Sequence, residues 1–262
     1  MGCLDQGGAL EVPAEAAQPK IDVLGQFRLS PVLGSVNFTQ ANALMIIGAL
    51  LVLALLYYGM KPRAVVPGRL QAAAELCYKF VYDMCVDQIG EEGRRFFPFV
   101  FTLFFFVLMG NLLGLLPYSF TYTSHIAVTV GLALMVIIIV TIVAFVENGW
   151  HFVTEYFFPK GAPLVLAPLI VPIEVISYLS RVVSLSVRLF ANMVAGHAMF
   201  EVAGAFTIML AGFGVIGIIA AVIGPLAVNV VLYAFELLVA CLQAYVFAIL
   251  TCIYLHDAVH LH

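Results

Sequence analysis

The sequence predicts an all-α membrane protein: five helices that cross the bilayer and one amphipathic helix lying on its surface. Three observations carry the prediction. The 262 residues are 64% hydrophobic and 10% charged, whereas a soluble domain is roughly 45–50% apolar and about 25% charged, so this chain cannot clothe a water-soluble globule. Its apolar residues fall in unbroken runs of the ~20 residues that a helix rising ~1.5 Å per residue needs to span hydrocarbon. Polar and ionisable residues inside the last two runs recur every seven positions, a spacing that only a helix gathers onto one stripe.

The composition excludes a soluble enzyme. A net charge of −4, from 11 Lys+Arg and 15 Asp+Glu, leaves no basic footprint for nucleic acid and no acidic disordered tail. Cys3, Cys77, Cys85, Cys241 and Cys252 form no CxxC and no ligand-like cluster, which assigns them to packed helices as small apolar side chains.

Residues 1–39 hold Pro13, Pro19 and Pro31 and four acids against two bases. They have neither the Arg-rich, acid-poor character of a transit peptide nor a signal h-region, and are expected on the outer side. Residues 41–60 form the first span. Lys61, Arg63 and Arg69 follow it at once, so this end faces the cytoplasm and the N-terminus lies outside. Over 69–95, Arg69, Glu75, Lys79, Asp83, Asp87, Arg94 and Arg95 alternate with Leu70, Leu76, Phe80, Val81, Met84 and Ile89, which predicts an amphipathic helix on the cytoplasmic interface. The second span is 96–116, closed by Pro117 and the interfacial Tyr118 and Tyr122. The third, 126–146, returns to a polar cytoplasmic loop with Glu147, Trp150, Glu155 and Lys160, ending near Pro159 and Gly161. Stretches 163–205 and 207–255 are each far longer than a perpendicular span requires, so they are expected to tilt strongly as a hairpin. Gly224 and Pro225 predict a kink in the second. The tail 256–262 ends in the cytoplasm.

A charge at mid-bilayer costs at least ~2.5 kcal/mol, so ionisable residues in the last two stretches are the candidates for function. They are Glu174, Arg181, Arg188, His197, Glu201 and Glu236. Glu174, Arg181 and Arg188 share one stripe, joined a turn later by Asn192; Asn229, Glu236 and Gln243 form the equivalent seam in the last helix. Such seams can be interhelical glue. Arg188 argues for more, because Ser184, Ser186, Phe190 and Asn192 offer it no carboxylate at i±3 or i±4 and arginine cannot shed its proton. It asks for an anionic partner from elsewhere. Glu174 lies about 21 Å from Arg188 along a helix axis in one direction and His197 about 14 Å in the other, so titratable groups flank a fixed cation. On a straight helix His197 points about 180° away from Arg188, so it faces a separate cavity unless Gly196 bends the helix.

SLSVRLFANMVAGH (184–197), Glu236 and LQAYVFAILTCIYLHD (242–257), with GRRFFPFVFTLF and GNLLGLLPYSFTYTSH earlier, resemble subunit a of the F-type ATP synthases, in its alphaproteobacterial and mitochondrial branch. The resemblance covers nearly the whole chain from about Ile21. It implies a proton-translocating stator subunit with two offset half-channels, not itself an enzyme and without cofactor or metal. Arg188 would be the essential arginine facing the carboxylates of the rotating c-ring, with Asn192 and Gln243 as its polar neighbours. His197 and Glu236 would pair in the outer half-channel, and Glu174 with Ser177 would line the cytoplasmic one. Arg181 would be structural or interfacial. Implied partners are the c-ring, b-type peripheral-stalk subunits, other ATP synthase subunits and the lipid bilayer, with H+ as the transported ion. The implied location is a bacterial inner membrane, or alternatively a mitochondrial one.

Other signals weigh less. A proton-coupled secondary transporter, the alternative function, predicts an internal repeat that the two halves of the chain do not display. Gly212, Gly214 and Gly217 spell GxGxxG, but within an apolar helix with no strand before it, where small residues serve packing. His256, Asp257, His260 and His262 read as a terminal tail rather than a metal site.

Overall fold

The computed structural model describes residues 31–33, 38–60, 68–116, 122–149 and 167–260. Most of the outer segment, Lys61, Arg63, Pro117, Tyr118, the loop carrying Trp150, Glu155, Pro159, Lys160 and Gly161, the first residues of the 163–205 stretch and His262 lie outside the described residues. Apart from a short antiparallel pair, β1 (Pro31–Leu33) and β2 (Phe38–Thr39), the elements are helices: α1 (Gln40–Met60), α2 (Arg69–Ile89), α3 (Gly93–Gly114), α4 (Ile126–Asn148), α5 (Ala167–Ala211), α6 (Gly214–Ala221) and α7 (Ala227–Val259). A 3-10 turn, Tyr122–Ser124, precedes α4, and a π-helical turn, Val222–Leu226, joins α6 to α7 around Pro225. Among the described residues five helical stretches are long and apolar enough to cross a membrane: Asn42–Gly59, Gly93–Gly114, Ile126–Asn148, Pro168–Ala211 and Gly214–Val259.

Helix α2 is the amphipathic one. Glu75, Lys79, Asp83 and Asp87, four residues apart, are exposed, while Ala74, Val81, Met84, Cys85 and Ile89 are buried against the bundle. The helix is shorter than its polar pattern suggests. It stops at Ile89, the chain turns through Gly90–Glu92, and Arg94 and Arg95 open α3 instead of closing α2. Their charges are used at that corner: Arg94 pairs with Glu91 at 3.0 Å, and Arg95 with Glu92 and with Glu147 at the end of α4, both at 2.8 Å.

The core is built around α3 and α7. On α7, Ala240, Ala244, Ala248 and Cys252 are fully buried at four-residue spacing, a ridge of small side chains that lets neighbouring helices approach closely. In lipid, where apolar side chains gain little from leaving the solvent, such packing contacts hold helices together. Val100, Leu103 and Val107 of α3, Val136 and Ala144 of α4, and Leu185 and Leu189 of α5 fill the facing positions.

The long helices divide later than the apolar pattern suggests. Helix α5 continues past residue 205 to Ala211, and the turn falls at Gly212 and Phe213. Gly214, with φ +75°, adopts the left-handed conformation that stops α5 from continuing. The GxGxxG glycines therefore mark a helix-to-helix corner, not the interior of one helix.

Candidate functional site

The site is assembled where α5 and α7 run side by side. Helix α5 carries Glu174, Ser177, Arg181, Arg188, Asn192 and His197 on one unbroken helix, so the axial separations expected from sequence hold along a single rod. Helix α7 supplies Glu236 and Gln243.

The two arginines, seven residues apart, have opposite fates. Arg181 is three-quarters buried and bonds Asp257 of α7 at 3.4 Å, with its guanidinium over the Tyr254 ring at 5.1 Å. The chain neutralises this cation itself. Arg188 is exposed, and among the described residues no carboxylate or hydrogen-bond acceptor partners it. It interrupts a lateral face of α5 formed by Leu179, Val183, Val187, Ala191, Ala195 and Met199, all exposed.

One turn beyond Arg188, Asn192 donates from Nδ2 to Oε1 of Gln243 at 2.7 Å. This bond joins the two polar seams. Gln243 is 3% exposed and its Nε2 has no partner among the described residues, so the amide has one buried group left for a further acceptor.

Two turns from Gln243 along α7, Glu236 is 7% exposed and its Oε1 is buried without a hydrogen-bond partner among the described residues. Its carboxyl group lies directly against Gly196, where a Cβ would collide with it. Only glycine leaves room for the acid to reach across from α7. A cleft of about 220 Å³, lined by Asn192, Gly196, Met199, Phe200 and Glu236 among others, opens beside it. That volume holds several waters. His197 is half-buried at the next position on α5 and does not line this cleft. Glu174 and Ser177 are half-buried about 21 Å and 16 Å from Arg188 along α5.

The structure thus brings Asn192 to Gln243 and Gly196 to Glu236, and leaves Arg188 open. Two further residues complete the site without a signal in the sequence pattern: Asp257, at the start of the polar tail, is the counter-ion of Arg181, and Gly196 is the seat of Glu236.

Comparison with known proteins adds a family. Residues 42–256 match the family model described as ATP synthase A chain. ATP synthase subunit a of Granulibacter bethesdensis is 64% identical over 252 residues, covering 94% of this chain and all of that protein. Those of Acidiphilium cryptum and Rhodospirillum rubrum are 53% and 49% identical, the first covering 94% of this chain and all of the relative, the second 90% and 98%.

Proposed function

Because the chain belongs to the ATP synthase A chain family, we propose that Arg188 is the fixed cation past which a ring of carboxylates turns, between two offset proton half-channels. The coarser function is plain. The chain is the proton-channel component of an F-type ATP synthase, non-catalytic by itself, multi-pass in a bacterial inner membrane, with other subunits of that complex as partners.

The observation that carries the proposal is Arg188, exposed on an apolar face of a membrane helix and unpartnered among the described residues, while Arg181 two turns away is paired. Left against lipid such a cation costs at least ~2.5 kcal/mol. An anion brought by a neighbouring subunit removes that cost. A ring carboxyl group must be neutral while it faces lipid and is favoured as the anion beside Arg188. It loses its proton to one half-channel on arrival and regains one from the other on leaving. A membrane potential worth ~2.3 kcal/mol per charge per 100 mV then gives the cycle its direction.

In this scheme the outer half-channel runs through the cleft at Glu236 and Asn192, with His197 and Glu236 as exchanging acid and imidazole, and Glu174 with Ser177 serves the cytoplasmic half. Arg188 also bars a direct leak, since a permanent cation repels a hydrated proton. The ring proteolipids and a b-type peripheral stalk are the proposed neighbours.

Gln243 tests the seam. Proton-driven ATP synthesis in vesicles carrying Gln243→Ala is expected to fall about tenfold, with the complex still assembled. Collapse of assembly, with normal conduction by whatever complex remains, would make the Asn192–Gln243 bond structural glue.

A further inference from the structure

Helix α7 is held by two asparagines from other helices. Asn111 of α3, fully buried, donates from Nδ2 to the Ala240 carbonyl at 3.3 Å, and its Oδ1 accepts the Thr123 hydroxyl at 3.1 Å. Asn148, at the end of α4, donates to the Ala258 carbonyl at 2.8 Å. The Ala240 carbonyl, inside the helix, already accepts the amide four residues on, so the Asn111 donation is not needed to satisfy the backbone, whereas Ala258 lies in the last turn of α7, where Asn148 supplies a donor to a carbonyl with no intrahelical partner. What each adds is direction. Sliding α7 by one residue would present the next carbonyl ~1.5 Å along the axis and about 100° around it, out of reach of a fixed amide.

The two contacts differ in what they hold. Ala240 lies four residues from Glu236 and three from Gln243, on the stretch that carries both. Leu115, which caps α3, Met193 of α5 and Ala240 pack together there, with Leu112 of α3 and Phe200 against them, so three helices meet at the level of the seam. Ala258 lies 18 residues beyond Ala240, about 27 Å further along the axis, next to Asp257. Thr123, 1% exposed, is a donor to Asn111 Oδ1 and so orients the amide with its Nδ2 towards Ala240.

We propose that Asn111, oriented by Thr123, is a positioning residue for the outer half of the proton path: by holding Ala240 it sets where Glu236 and Gln243 point. The inference rests on the proton-path reading above. Glu236 must stay within the narrow space over Gly196, and Gln243 within reach of Asn192, so a small rotation of α7 disturbs both at once. Misplacement of about 1 Å is enough to slow a positioned reaction by up to about 100-fold.

The test compares Asn111→Leu, close in size and without the amide, with Asn148→Leu in the intact complex in vesicles. The readouts are assembly, passive proton flux and the dependence of that flux on outer-side pH. Asn111→Leu is expected to assemble, to lose about tenfold in flux and to shift the outer-side pH profile, because Glu236 and His197 are the titratable groups on that path. Asn148→Leu is expected to keep the parental profile. Thr123→Val, which leaves Asn111 in place but unoriented, should shift the profile in the same sense by less. An assembled Asn111→Leu complex with parental flux and profile overturns the inference, as does an equal shift in Asn148→Leu. Should Asn111→Leu fail to assemble, Thr123→Val decides, and an unchanged profile there overturns it. If Gln243→Ala slows flux while the Asn111 and Thr123 variants do nothing, this inference alone fails. If Arg188→Ala also leaves synthesis untouched, the proton-path reading has failed first.

Discussion

Arg188→Ala is expected to remove proton-driven ATP synthesis, by at least about 100-fold, from a complex that still assembles. Arg188 stands on the exposed face of α5. Nothing among the described residues neutralises this cation, and no core contact depends on it, so its loss should leave the fold in place. On the proposed reading, what disappears is the charge that favours an arriving carboxyl group as the anion, and with it the barrier between the half-channels. Arg188→Lys keeps a cation but is expected to restore little, because a lysine can lose its proton in a poorly hydrated site and lacks the planar fork of donors. ATP synthesis by energised vesicles, with assembly measured on the same preparation, checks both variants.

Gly196→Val is expected to close the outer half-channel, cutting passive proton flux by tenfold or more. Any Cβ at this position meets the Glu236 carboxyl group, and valine adds two methyl groups that cannot rotate away because its χ1 is confined in a helix. Glu236 is itself buried and cannot simply swing into water, so the clash displaces the carboxyl group or separates α5 from α7. Overpacking of this kind costs about 1–3 kcal/mol, small enough for assembly to survive. Gly196→Ala adds less bulk and should give a smaller loss. Proton flux at the parental rate in an assembled Gly196→Val complex would show that Glu236 does not work from this seat, and would remove the proposed His197–Glu236 exchange with it.

The spans were legible because a bilayer demands unbroken apolar runs, and composition records these directly. Their ends were less so. Arg94 and Arg95 continue the polar pattern of α2, and their assignment to α3 depends on ion pairs to Glu91, Glu92 and Glu147, the last 52 residues away from Arg95. Between Gly204 and Gly224 the run is uniformly apolar with several glycines, so no polarity signal says which one turns the chain. In the site, one-turn spacing from Arg188 and seven-residue spacing from Glu236 put Asn192 and Gln243 on the two seams that their hydrogen bond joins, and the missing local carboxylates singled out Arg188. That Arg181 has a counter-ion while Arg188 has none among the described residues depends on the register between α5 and α7, which is a tertiary fact. Asn111 left a fainter signal: an amide alone in an apolar span must find a partner or bear the penalty of burial, and that rule could have drawn notice to it.

The central claim is that the face of α5 around Arg188 is turned towards a ring of carboxylates, and cross-linking tests it most directly. Val187→Cys, beside Arg188 on that exposed face, would be introduced into the whole complex with Cys241, which is also exposed, replaced by serine. Single cysteines would be placed along the carboxylate-bearing helix of the ring subunit, and copper phenanthroline supplied as oxidant. The account predicts a disulfide between the two subunits, strongest for ring positions within a turn of the carboxylate. Efficient labelling of Val187→Cys by a lipid-soluble maleimide, with no cross-link at any ring position, would contradict it.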